Sequence, residues 1–121
     1  MKQFQKDKLR VEIYDTRNQM GQAAGTLAAK LIREYLQRKE EVNVIFAAAP
    51  SQNEMLDTLV HAPDIQWERV NAFHMDEYIG LAKDAPQGFG NFLVDHIVEF
   101  IMDNDSVLIQ NDNLALFRID Y

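Results

Sequence analysis

Leu9, Val11 and Ile13 alternate with Arg10, Glu12 and Tyr14, and this period of two predicts a strand with one buried face. From residue 16 to about residue 39 the spacing changes to threes and fours. Met20, Ala23, Ala24, Leu27, Ala28, Leu31, Ile32 and Tyr35 then form one apolar stripe, which predicts a long helix, and Thr16 with Gln19 supplies a capping box at its start. Residues 42–49 read VNVIFAAA, apolar but for Asn43, as expected of a strand covered on both faces in a parallel sheet. Ser51 opens a second helix, with Met55, Leu56, Leu59 and Val60 inward and an end near the turn at Ala62-Pro63-Asp64. Residues 69–75 (RVNAFHM) predict a third strand. Residues 89–102 predict a third helix, in which Phe89, Phe92, Leu93, His96, Ile97, Phe100 and Ile101 share a face. Further on, Ser106 to Ile109 fits a short strand, and the polar QNDN run at 110–113 interrupts any longer element.

Strands alternating with helices imply right-handed βαβ units, hence an α/β fold: a doubly wound, Rossmann-like parallel sheet in three layers, here apparently truncated. With 121 residues and 47% apolar content, the chain suits a single domain, 1–121, with one core. There is no repeat, low-complexity tract or Pro/Gly/Ser linker. If half the sheet is missing, an edge strand and apolar helix faces should lie open, which favours self-association into a homo-oligomer.

Charge and composition narrow the partners. Nineteen acidic residues against twelve Lys and Arg give a formal charge of -7, which argues against nucleic acid. A small phosphorylated ligand remains compatible, because N–H groups at a helix start supply local positive potential. The absence of cysteine removes disulfides and thiolate metal sites. The opening MKQFQKDKLR leads into no apolar signal region, and no run is long enough to cross a bilayer, so a cytoplasmic protein without membrane contact is expected.

In open α/β sheets, ligands gather beyond the carboxyl ends of the strands, which directs attention to two junctions. The first, Pro50-Ser51-Gln52-Asn53-Glu54, offers unpaired N–H groups to an anion, although Ser51 with Glu54 also reads as a capping box that needs no ligand. The second, Asp76-Glu77-Tyr78-Ile79-Gly80-Leu81, offers two carboxylates, either of which can serve as a general base or merely cap a turn. His74 and His96 lie on different elements without a close third ligand, so no metal is expected. His96 reads as a packing residue and His61 as a cation near a helix end. Phe89, Phe92, Phe100 and Trp67 read as core. Gly80, Gly88 and Gly90, on both sides of Pro86, fit either a loop that folds over a ligand or ordinary turn geometry.

Taken together, Phe73-His74-Met75-Asp76-Glu77-Tyr78-Ile79-Gly80-Leu81 and Pro86-Gln87-Gly88-Phe89-Gly90-Asn91-Phe92 closely resemble the strand, loop and helix of the glucosamine-6-phosphate deaminases. The resemblance spans about residues 9–97; residues 98–121 diverge. Related 6-phosphogluconolactonases tend to carry Asp-Glu-Arg, so Tyr78 and Gly80-Leu81 favour the deaminase side. The resemblance implies that Asp76 is the proton-abstracting base of an aldose-ketose rearrangement, that Ser51, Gln52 and Asn53 bind substrate, and that no cofactor is needed. The implied substrate is an amino sugar phosphate, converted to a ketose phosphate and ammonia.

Two departures bear on that implication. The family's phosphate loop has small residues where this chain has Gln52 and Asn53, and Glu54 brings a negative charge to the anion's side. The family's Asp-Gly-His-x-Ala-Phe-Asn-Glu segment, source of the ring-opening histidine, is absent, as are the downstream basic residues. A non-catalytic sugar-phosphate binder or regulatory remnant is therefore the alternative from another class, and a lactone hydrolase is a third.

Overall fold

A computed structural model of the chain describes residues 1–82 and 84–103. The segments 106–109 and 110–113 discussed above lie outside the described residues. Strand β1 (Lys2–Lys6) pairs antiparallel with β2 (Leu9–Ile13) through a turn at Asp7, whose φ of 52° falls in the left-handed region that Asp tolerates. β1 was not anticipated, because KQFQK carries too little apolar signal. The expected buried face of β2 is not buried among the described residues: Leu9 is 63% exposed. Among the described residues its hairpin forms a sheet of its own, with the polar β1 as its one neighbour.

Helix α1 (Arg17–Leu36) starts as expected, with the Thr16 Oγ1 accepting from the Gln19 N–H at 3.1 Å. The face it buries only partly matches the one the apolar stripe predicts: Ile32 is buried and Ala28 packs against the core, as expected. Gly21, Gly25, Ala29, Ile32 and Leu36 go inward, while Met20, Leu27, Leu31 and Tyr35 stay exposed. The reason is close helix approach to α2 (Asn53–Val60). A Cβ on Gly21 would lie 2.3 Å from the Glu54 Cβ, and one on Gly25 would lie 2.6 Å from the Met55 carbonyl oxygen. Glycine adds nothing to a hydropathy stripe, yet here it sets the packing distance.

Strands β3 (Val42–Phe46) and β4 (Val70–His74) pair in parallel, with Val42 opposite Val70 and Phe46 opposite His74. Phe46 and Val70 are buried, and Val42, Val44 and Ala72 pack against the same core. The expected cover on both faces is not found among the described residues. On the other face Ile45 is 67% exposed, and the Asn71 amide donates to the Asn43 side chain at 2.9 Å. Arg69, at the entry to β4, donates to the carbonyl of Leu36, an acceptor that the end of α1 leaves over, and to those of Lys39 and Glu40 in the turn that follows.

The third predicted helix is continuous in space but changes pitch: α3 (Phe89–Leu93), a π-helical turn (Val94–Val98), then α4 (Glu99–Asp103). Leu93, Ile97 and Ile101 point into the core, every fourth residue. The wider π-turn carries Phe100 outward, against the expectation that it is core, and its ring meets the edge of His61 at 5.3 Å. Trp67 and Phe92 do pack against the core. His96 is a packing residue as expected: its Nδ1 lies 2.7 Å from the Phe92 carbonyl oxygen and its ring stacks on that of Phe92. No described helix is long and apolar enough to cross a membrane.

Candidate functional site

The parallel register fixes where the two junctions emerge. Phe46 and His74 end their strands in step, and the Met75 N–H donates to the Phe46 carbonyl at 3.0 Å, so the chain leaves β3 and β4 from the same edge of the sheet. From β3 it passes through a 3-10 turn (Pro50–Gln52) into α2; from β4 it enters the Asp76-Glu77 loop. Ser51, Asn53 and Asp76 are exposed and Gln52 is half-buried. Among the described residues no hydrogen bond joins Asp76 to Ser51, Gln52 or Asn53. A wide cleft of about 870 Å³ lies elsewhere, between the hairpin and α1, and holds none of these residues.

The capping box expected of Ser51 and Glu54 does not form, because Ser51 falls inside the 3-10 turn and neither that turn nor α2 has a side-chain cap. Glu54 instead turns to α1. The Arg17 Nε donates to its Oε1 at 2.7 Å, and the Arg17 Nη2 donates to the Pro50 carbonyl. Hydrogen bonding from Arg17 holds the Glu54 carboxyl below its ordinary range. Nothing in the local sequence pointed to Arg17, which lies a whole helix and strand away.

Glu77, read from the sequence as either a general base or a turn cap, is a cap, and what it caps is the start of α3. Its Oε1 accepts from the N–H groups of Tyr78 (3.1 Å) and Phe89 (3.0 Å), and its Oε2 from that of Gly90 (3.0 Å). Phe89 and Gly90 open α3, where N–H groups have no intrahelical acceptor, and Gly88 at the cap position has no side chain to offer one. Desolvation pushes the Glu77 carboxyl up; the hydrogen bonds from Gly90, Phe89 and Tyr78, with the charge of His74, outweigh it and hold the group below its ordinary range. A helix start with glycine at its cap was the signal that an acceptor had to come from elsewhere.

The loop glycines have structural reasons. Gly80 has a φ of 77°, and a Cβ on Gly90 would lie 3.2 Å from the His74 ring. Tyr78 tilts over Phe89 at 4.8 Å. Among the described residues no group of three His, Asp or Glu side chains is placed to hold a metal.

Comparison with known proteins bears on this edge. Glucosamine-6-phosphate deaminase 2 of Bacillus subtilis is 30% identical over 95 residues, taking in 74% of this chain. The chain resembles the N-terminal part of the glucosamine-6-phosphate deaminases. It spans 38% of the length of that relative. No family model matches the chain. Two solved structures share the Rossmann-like α/β fold. A candidate 6-phosphogluconolactonase from Neisseria gonorrhoeae gives a TM-score of 0.65 at 15% identity, covering 74% of this chain and 38% of its own. A monomeric glucosamine-6-phosphate deaminase gives 0.64 at 20% identity, covering 73% and 36%. The sequence likeness to the deaminase and the fold likeness to the two solved structures each take in about three quarters of the chain.

Proposed function

We propose that this chain carries the proton-transfer portion of a glucosamine-6-phosphate deaminase-type site, with Asp76 as the base and Ser51, Gln52 and Asn53 at the phosphate end of the substrate. The observation that supports it most is the in-step ending of β3 and β4, which sends both junctions out of one sheet edge. The fate of the adjacent carboxylates adds weight. Glu77 is committed to three backbone N–H groups, whereas Asp76 stands exposed.

The chemistry asked of Asp76 is modest. With the sugar ring open, its carboxylate takes the proton from carbon 2, giving an enolamine. A proton returned to carbon 1 leaves an iminium at carbon 2, which water hydrolyses to a ketose phosphate and ammonia. Ring opening is the step for which these 121 residues hold no Asp-Gly-His segment. The loop after β3, with Gln52 and Asn53 in place of small residues and Glu54 beside them, favours a second reading, a sugar-phosphate binder without turnover.

The two separate by experiment. In deuterated water the chain is expected to exchange the carbon 2 proton of glucosamine 6-phosphate, slowly, through the small open-ring fraction, and Asp76→Asn is expected to reduce exchange to background. Equal rates in the two proteins remove Asp76 from the mechanism. Saturable calorimetric binding with no exchange in the parent selects the binder instead.

A further inference from the structure

The loop after β3 carries an acid at the place proposed for an anion, and the sequence alone presents this as a conflict. The structure shows how the charge is met. Glu54 lies against α1, its Cβ over Gly21, where no other side chain would leave room. Its carboxylate takes the Nε–H of Arg17, and the same guanidinium holds the carbonyl of Pro50. A guanidinium has five N–H donors, so these two contacts leave others over, and 54% of the Arg17 side chain is exposed.

We propose that Arg17 is the charge-balancing residue of this loop: by pairing with Glu54 and fixing Pro50, it makes residues 51–53 receptive to the phosphate end of a sugar phosphate. The inference rests on the reading of the loop as the phosphate end given above, and it makes Arg17 a positioning residue, not a catalytic one. Three features carry it. The cation is on a different element from the acid, it touches both ends of the 50–54 segment, and glycine clears the space for the contact.

A simple tie between α1 and α2 would show the same contacts, so the test must read charge. Calorimetric titration with glucosamine 6-phosphate, with glucosamine as the phosphate-free control, compares the parent with Arg17→Ala, Glu54→Gln, the double variant and Arg17→Lys. Removing Arg17 leaves Glu54 bare beside the loop and is expected to weaken phosphate-sugar binding about tenfold, less at high salt, with no change for glucosamine. The double variant is expected to recover most of that loss, because the charge needing balance is gone; Glu54→Gln alone is expected to bind at least as tightly as the parent. A tie between helices predicts the opposite, no recovery.

Arg17→Ala binding like the parent, or a double variant as weak as Arg17→Ala, overturns the charge-balancing role while leaving the phosphate reading intact. Should Arg17→Ala fail to fold, Arg17→Lys decides: binding within about threefold of the parent supports charge balance, and a tenfold loss overturns it. A parent that binds neither glucosamine 6-phosphate nor inorganic phosphate refutes the phosphate reading itself, and this inference falls with it.

Discussion

The two loops that leave the sheet edge treat their acids in opposite ways. After β3, the half-buried Glu54 is met by an exposed side-chain cation from another helix. After β4, Glu77 is met by three backbone N–H groups and sits half-buried. Exposed ion pairs are screened by salt and cost entropy to hold, whereas a carboxylate that satisfies a helix start closes donors with no other acceptor. The first arrangement can be retuned by substitution; the second is part of the frame. It follows that Asp76 and Glu77, neighbours in sequence, answer to different demands: one is exposed beside the proposed site and the other keeps α3 in place.

The strongest way to break the comparison is at Gly21, which lets the first loop dock. Alanine there gains up to about 1 kcal/mol of helix propensity. Against this, its methyl would sit 2.3 Å from the Glu54 Cβ, and that atom is anchored to the α2 backbone. Overpacking of this kind typically costs about 1–3 kcal/mol, so Gly21→Ala is expected to destabilise the fold in urea melts. A stabilised variant would mean that α1 and α2 are further apart than described. Next in size is Glu77→Ala, which leaves the Phe89 and Gly90 N–H groups without their acceptor and is expected to cost about 1–2 kcal/mol. Asp76→Ala, one residue away and exposed, is expected to stay within about 0.5 kcal/mol of the parent. Equal losses at the two positions would erase the distinction between frame and site.

How much of this could be read from the residues depends on what carried the signal. The helix at 17–36, the strands at 42–46 and 70–74 and the helical run from 89 were legible because apolar periodicity marks them. The buried face of α1 was not, because Gly21 and Gly25 act through what they lack. The exposed stripe of Met20, Leu27, Leu31 and Tyr35 looked like core for the same reason: hydropathy counts side chains and cannot see which face another helix approaches. Within the candidate site, the motif drew the eye to Asp76 and Ser51, and the topology brings their two loops to one edge. Arg17 was invisible, and capping was only one of two readings of Glu77 with its target, the start of α3, unseen, since both depend on contacts between residues distant in the chain.

The smallest effect sharpens the contrast most, because it separates the two acids by pH and salt together. Both carboxyls are held below their ordinary value of 4.5 in the folded chain. A group with a lowered folded pKa contributes stability that is fully present above its unfolded value and is lost as pH falls through the folded one. Stability should therefore decline as pH drops below about 4.5, and Glu77→Gln should flatten that decline. Glu54→Gln should flatten it too at low salt, but less at high salt, because the exposed Arg17 partner is already screened there. Amide hydrogen bonds, the main cause of the lowering at Glu77, are less sensitive, so most of its share of the acid limb should persist in high salt. Urea melts from pH 6 to pH 3 at two salt concentrations check this; if salt abolishes the Glu77 share as fully as the Glu54 share, the cap is as open to water as the ion pair.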